Sequence, residues 1–152
     1  MIRFENTVVI DRPVEEVFEF VADFRNVPKW NYYVTDVRKL SDGPIEMGTT
    51  FHQVRKTDQQ DYQITEYEPG RKVVVKTLPG STPQFEMRFV FEAKNGSTRL
   101  VDTWALDFGR NPLIELLGTA RVKSAVAENL GKLKEMLETG ETRLQDGRFT
   151  RK

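Results

Sequence analysis

The side chains able to do chemistry in this chain form a short set. Among 152 residues there is one histidine, His52, and no cysteine. An imidazole titrates near neutrality, so His52 is the natural general acid or base. Asp102 is the second candidate, because it alternates with Leu100, Trp104, Leu106 and Phe108. If that face turns inward, a carboxylate stands among apolar groups and needs a partner or a raised pKa. If the face of Val101, Thr103 and Ala105 turns inward instead, Asp102 is merely solvated. Arg121 is a candidate partner, and the pair would orient the polar end of a ligand. Proton abstraction next to a carbonyl would use His52 or Asp102 as base, with Tyr62 or Arg121 holding the developing enolate. The bland alternative for His52 is a structural or exposed strand residue.

Composition removes several function classes. A lone histidine and no cysteine exclude thiolate metal sites, cysteine nucleophiles and two-histidine metal sites, so no metal and no cofactor are expected. Lys plus Arg and Asp plus Glu number 23 each, which gives no electrostatic case for nucleic acid as a partner. No apolar run approaches the roughly 20 residues of a membrane span, so no integral membrane segment is expected. The start, Met1 to Asn6, reads as a strand and not a signal peptide, which makes a cytoplasmic location the expectation.

The elements that position these residues follow from periodicity. Ile2 to Ile10 reads as a strand. Pro13, followed by Glu15 and Glu16, opens a helix whose apolar face is Val14, Val17, Phe18 and Val21. A second short helix or turn then carries Trp30, Asn31 and Tyr32. Strands are expected over 34–40, 49–56, 62–68, 72–78, 85–92 and 98–108, divided by Gly- and Pro-containing turns as in an antiparallel meander. Asn111 is the expected N-cap of a long helix running to about Glu138, roughly 40 Å at 1.5 Å per residue. Val122, Val126, Leu130, Leu133 and Leu137 form its stripe, Leu113, Leu117 and Ala120 extend it, and Gly140 ends it. Residues 139–152 are polar and aperiodic, and a flexible tail is expected there.

Several segments bring the chain close to one family. Asp11-Arg12-Pro13-Val14-Glu15-Glu16-Val17-Phe18 resembles the opening of the START-like polyketide cyclase/dehydrase and lipid-transport superfamily. Asp23 to Trp30 is similar to its D-x-x-N-x-P-x-W turn, and Glu68-Pro69-Gly70-Arg71 to its proline bend. Gly96 to Leu100 and Asn129 to Glu138 resemble its hairpin and its helix end. The match runs over residues 2 to 138, in order. The resemblance implies one α+β helix-grip domain over 1–138. A curved antiparallel sheet of about seven strands would wrap a long C-terminal helix, with two short helices after the first strand. It also implies a cavity between sheet and helix, usually for an apolar small molecule. It carries no universal catalytic set.

The expected lining residues are Tyr32, His52, Tyr62, Phe85, Met87, Phe89, Trp104, Arg121 and Ala125. Phe85, Met87, Phe89 and Phe91 share one strand face that is either core or cavity wall. Trp30 is expected to pack, while one neighbouring tyrosine lines the pocket. Three readings follow. The first is binding of a hydrophobic or amphipathic small molecule, such as a lipid, polyketide or isoprenoid. The second is a cyclase or dehydratase. The third is a protein-interaction module with the cavity collapsed and an exposed apolar patch. The segment Leu113 to Leu117 could serve such a patch or a homodimer.

Overall fold

Alternation drives the sheet. In β1 (Ile2–Ile10), Ile2, Phe4 and Ile10 are buried while Arg3, Glu5 and Thr7 face solvent. The computed structural model describes all residues except Phe108, Arg110 and Asn111 and the side chains of residues 112–117. The expected N-cap at Asn111 and the apolar segment Leu113 to Leu117 therefore lie outside the described residues.

After β1 come α1 (Val14–Ala22) and a 3-10 helix (Phe24–Lys29), opened by the Asp23 carboxylate accepting from the Arg25 amide. Six strands follow: β2 (Val34–Lys39), β3 (Thr50–Arg55), β4 (Gln59–Glu68), β5 (Lys72–Thr77), β6 (Gln84–Lys94) and β7 (Ser97–Asp107). They form one antiparallel sheet of seven strands in the order β1-β7-β6-β5-β4-β3-β2. The first strand thus pairs with the last, and each other strand pairs with its sequence neighbour.

The long helix α2 (Pro112–Thr139) packs on β1. Polar anchors fix the docking: Asn6 Nδ2 donates to the Lys123 carbonyl at 3.1 Å, and Lys134 Nζ donates to the Val9 carbonyl at 2.6 Å. Leu130, Leu133, Met136 and Leu137 bury the C-terminal half of the helix. Gly140 ends it at φ 91°, a conformation that glycine adopts without a Cβ penalty. This is the α+β helix-grip architecture.

The short helices fill only one end of the concave face. Phe18 of α1 meets Phe91 and Tyr67 edge-on at 5.0 and 5.4 Å. Phe24 of the 3-10 helix sits among Phe51, Tyr62 and Phe89 at 5.5, 5.6 and 6.4 Å. A register shift between Ile64 and Glu66 lets Tyr67 rejoin the inner face. At the other end Phe4, Trp104 and Phe85 stack along the sheet at 6.1 and 5.6 Å, and a hollow remains between them and α2.

The expectation of a flexible tail is corrected. β8 (Glu141–Arg143) and β9 (Phe149–Arg151) form a hairpin with Leu144 buried beneath it. Thr150 Oγ1 donates to the Lys29 carbonyl at 2.5 Å, and Thr142 Oγ1 donates to Glu135 at 2.8 Å. The physical reason is Asp146-Gly147, a turn pair with Gly147 at φ 87°, which folds a polar segment back on itself.

Candidate functional site

The hollow end holds a cavity of about 260 Å³. Its sheet wall is Phe85, Trp104 and Leu106, and its helix wall is Val122, Ala125 and Val126. Tyr33 and Val34 close it on the side of the 3-10 helix, and Arg55 and Arg121 stand at its rim. Deeper in lies a small chamber of about 30 Å³, reached past Asn31, Gln53 and Asn129, which border both spaces. Its floor includes Trp30, Tyr62, Met87 and Asp102. Phe85, Trp104 and Val126 border both spaces as well, so three amides and three apolar side chains ring the junction, and the chamber beyond is apolar apart from a few polar groups.

The inward strand faces put these groups in place. On β7 the face of Leu100, Asp102, Trp104 and Leu106 turns inward, which decides the alternative the sequence left open. Asp102 is 1% exposed. Its Oδ2 accepts from Trp104 Nε1 at 2.9 Å, while its Oδ1 has no partner among the described residues. Burial, offset only in part by the indole, pushes its carboxyl up to about 7. The expected Asp102–Arg121 ion pair does not form, and Arg121 stays exposed at the rim. Tyr62 is fully enclosed between the Phe24, Phe51 and Phe85 rings, and its hydroxyl also has no partner among the described residues. Burial drives its ionisation far above the usual phenol range, so it remains protonated. Trp30 Nε1, on the same floor, likewise has no partner among the described residues.

The expected lining residues divide. Phe85, Trp104, Arg121 and Ala125 line the cavity, and Tyr62, Met87 and Asp102 line the chamber. Phe89 is core, 1% exposed beneath Phe24. Tyr32 is replaced by its neighbour: the Lys56 ammonium sits 4.1 Å from the Tyr32 ring centre, while Tyr33 faces the cavity. Trp30 packs, as expected, but also lines the chamber.

His52 is not in the cavity. Phe51 and Gln53 take the inward positions of β3, so His52 between them points to the convex side. There its Nδ1 lies 2.6 Å from Asp61 and its Nε2 2.9 Å from Gln59. Among the described residues lining the cavity and its chamber, Asp102 is the one carboxylate. Gln53, Arg55 and Asn129 escaped the sequence reading although a signal existed. Once Phe51 is inward, Gln53 and Arg55 share its face, and Asn129 follows Val122 and Val126 on the helix stripe.

A larger hollow, about 370 Å³, opens between α1, β4 and the loop after β2. It is a polar surface groove whose Asp23 and Arg25 already pair at 2.9 Å, and it has no enclosed apolar wall. The smaller cavity is the better ligand site.

Comparison with known proteins adds the following. The family described as "Polyketide cyclase / dehydrase and lipid transport" matches residues 1–138. A START superfamily protein from Mycobacterium smegmatis superposes with a TM-score of 0.71 at 14% identity, over 90% of this chain and 99% of that one. The Zhui aromatase/cyclase from Streptomyces sp. R1128 gives 0.68 at 15% identity, over 90% and 96%. The Aha1 dimer from Colwellia psychrerythraea gives 0.69 at 19% identity, over 92% and 98%. At these identities the likeness shows the fold alone. No curated protein matches the sequence. No helix among the described residues is long and apolar enough to cross a membrane.

Proposed function

The chain belongs to the polyketide cyclase/dehydrase and lipid-transport family, and from that premise we propose that it binds a hydrophobic or amphipathic small molecule between its sheet and α2. One observation carries this reading: an apolar cavity of about 260 Å³ held open by Phe85, Trp104 and Leu106 on one side and Val122, Ala125 and Val126 on the other. Filling it removes apolar surface from water at roughly 25 cal/mol per Å². The volume lies near the small end of ligand pockets, roughly 300 Å³ and upward. It suits a compact aromatic or isoprenoid-sized body better than a two-chain lipid. The neutral fluorescent probe N-phenyl-1-naphthylamine tests the reading. Its emission should rise with the wild-type protein and not with Ala125→Phe, whose added ring occupies the cavity. Equal enhancement by both proteins would contradict the reading.

A second reading, a cyclase or dehydratase, is favoured by Asp102 alone. A buried carboxyl poised near neutrality, with one oxygen free, suits proton abstraction next to a carbonyl, and the Tyr62 hydroxyl suits the developing enolate. Turnover of a polyketide-like ketone that disappears in Asp102→Asn, while the ketone still binds, would support it. The interaction-module reading requires a collapsed cavity, and the open hollow argues against it.

A further inference from the structure

Trp30, Tyr62 and Asp102 are 5%, 1% and 1% exposed, line one chamber, and each carries a polar atom with no partner among the described residues. A buried polar atom left unpaired costs about 1–3 kcal/mol, so three on one floor need a reason. We propose that this chamber is a head-group site that takes one neutral oxygen, a hydroxyl or ketone, at the leading end of the ligand and refuses a carboxylate. The inference rests on the cavity reading above.

The chemistry of the three atoms defines the guest. Trp30 Nε1 can only donate, and the Tyr62 hydroxyl donates or accepts. Asp102 Oδ1 accepts when ionised, and the same carboxyl can donate when protonated. A hydroxyl oxygen satisfies donors and acceptor together, and a ketone satisfies the donors. A carboxylate finds no counter-charge among the described residues lining the chamber, which include neither Lys nor Arg. Arg121 and Arg55 stand only at the outer rim. An unpaired anion buried beside Asp102 would be strongly disfavoured. Size agrees: about 30 Å³ exceeds the roughly 10–15 Å³ that one water molecule needs in a cavity, so the chamber has room for a small oxygen function.

Calorimetric titration at pH 6 with naphthalene, 2-naphthol and 2-naphthoate separates the possibilities. The wild-type protein should hold 2-naphthol about tenfold tighter than naphthalene, and 2-naphthoate more weakly than 2-naphthol. Tyr62→Phe deletes only the hydroxyl. It should cut the naphthol-to-naphthalene affinity ratio about fivefold, with a melting temperature no lower than wild type. A hydroxyl with a purely structural role would instead lower the melting temperature and leave the ratio alone. Trp30→Phe gives a second deletion with the same expected fall in ratio. Equal binding of naphthol and naphthalene, or a preference that survives both substitutions (as when a fixed water alone occupies the chamber), overturns the head-group site and leaves the cavity reading standing. Failure of all three compounds to bind overturns the cavity reading itself, and this inference with it.

Discussion

Trp104 Nε1 donates to Asp102 Oδ2 at 2.9 Å along one face of β7, leaving Asp102 Oδ1 buried at the chamber floor with no partner among the described residues. Two residues apart on a strand, these side chains are held on the same side of the sheet by the pleat. The indole is itself fixed between Phe4 and Phe85, with ring centres at 6.1 and 5.6 Å. The carboxyl is therefore held in place by its neighbour, while most of its electrostatic cost is left uncompensated.

That cost predicts a pH-dependent stability. Burial raises the Asp102 carboxyl from 3.8 to about 7 in the folded state. The folded protein then binds more protons than the unfolded chain between these values, so this group's contribution falls as pH rises from about 4 to about 7 and is level above. The whole effect is on the order of a few kcal/mol. Asp102→Asn should melt higher than wild type at pH 8, with the difference shrinking towards pH 4. Glu138 is held below the usual carboxylate range by the Asp11 amide and Lys134. It titrates in acid in both proteins, so it cancels in the comparison. A melting difference that does not change with pH would refute the buried, uncompensated carboxyl.

His52 lies across the sheet from the cavity, against Asp61 and Gln59. His52→Ala should leave probe affinity at its wild-type value. Because the Asp61 side chain is nearly half exposed, the stability loss should stay within about 1 kcal/mol. A large drop in probe affinity would return His52 to the site.

The β8–β9 hairpin braces both sides of the cavity. Thr150 holds the carbonyl of Lys29 next to Trp30, and Gln145 Nε2 donates at 3.2 Å to Oδ1 of Asn129, which borders both the cavity and the chamber. Deleting residues 141–152 exposes the socket of Leu144 and removes both hydrogen bonds. The shortened chain should lose about 2–4 kcal/mol in urea unfolding and bind the probe more weakly. Unchanged affinity and stability would show that the hairpin is an idle appendage.

Much of this architecture was legible because period and punctuation are local signals. The aromatic alternation of Phe85 to Phe91 fixed an inward face, Pro13 marked the start of α1, and Gly140 marked the end of α2. The site was legible only where such a face was already determined, as for Phe85 and Trp104. His52 was misplaced because β3 offers both Phe51 and Val54 as inward markers, and only pairing with Tyr62 on β4 selects Phe51. Tyr32 and Tyr33 follow an irregular turn in which no period assigns a direction. Phe89 became core because Phe24, distant in sequence, covers it. The hairpin leaves no pattern to count, because Leu144 is its one buried apolar side chain.

The most direct measurement is native mass spectrometry of the purified protein beside the same sample after denaturing extraction. A protein that holds a compact apolar molecule should carry an added mass that is released on denaturation, and Ala125→Phe should carry none. An empty wild-type protein that also takes up no mass from a panel of aromatic polyketides, isoprenoid alcohols and fatty acids would contradict the binding function.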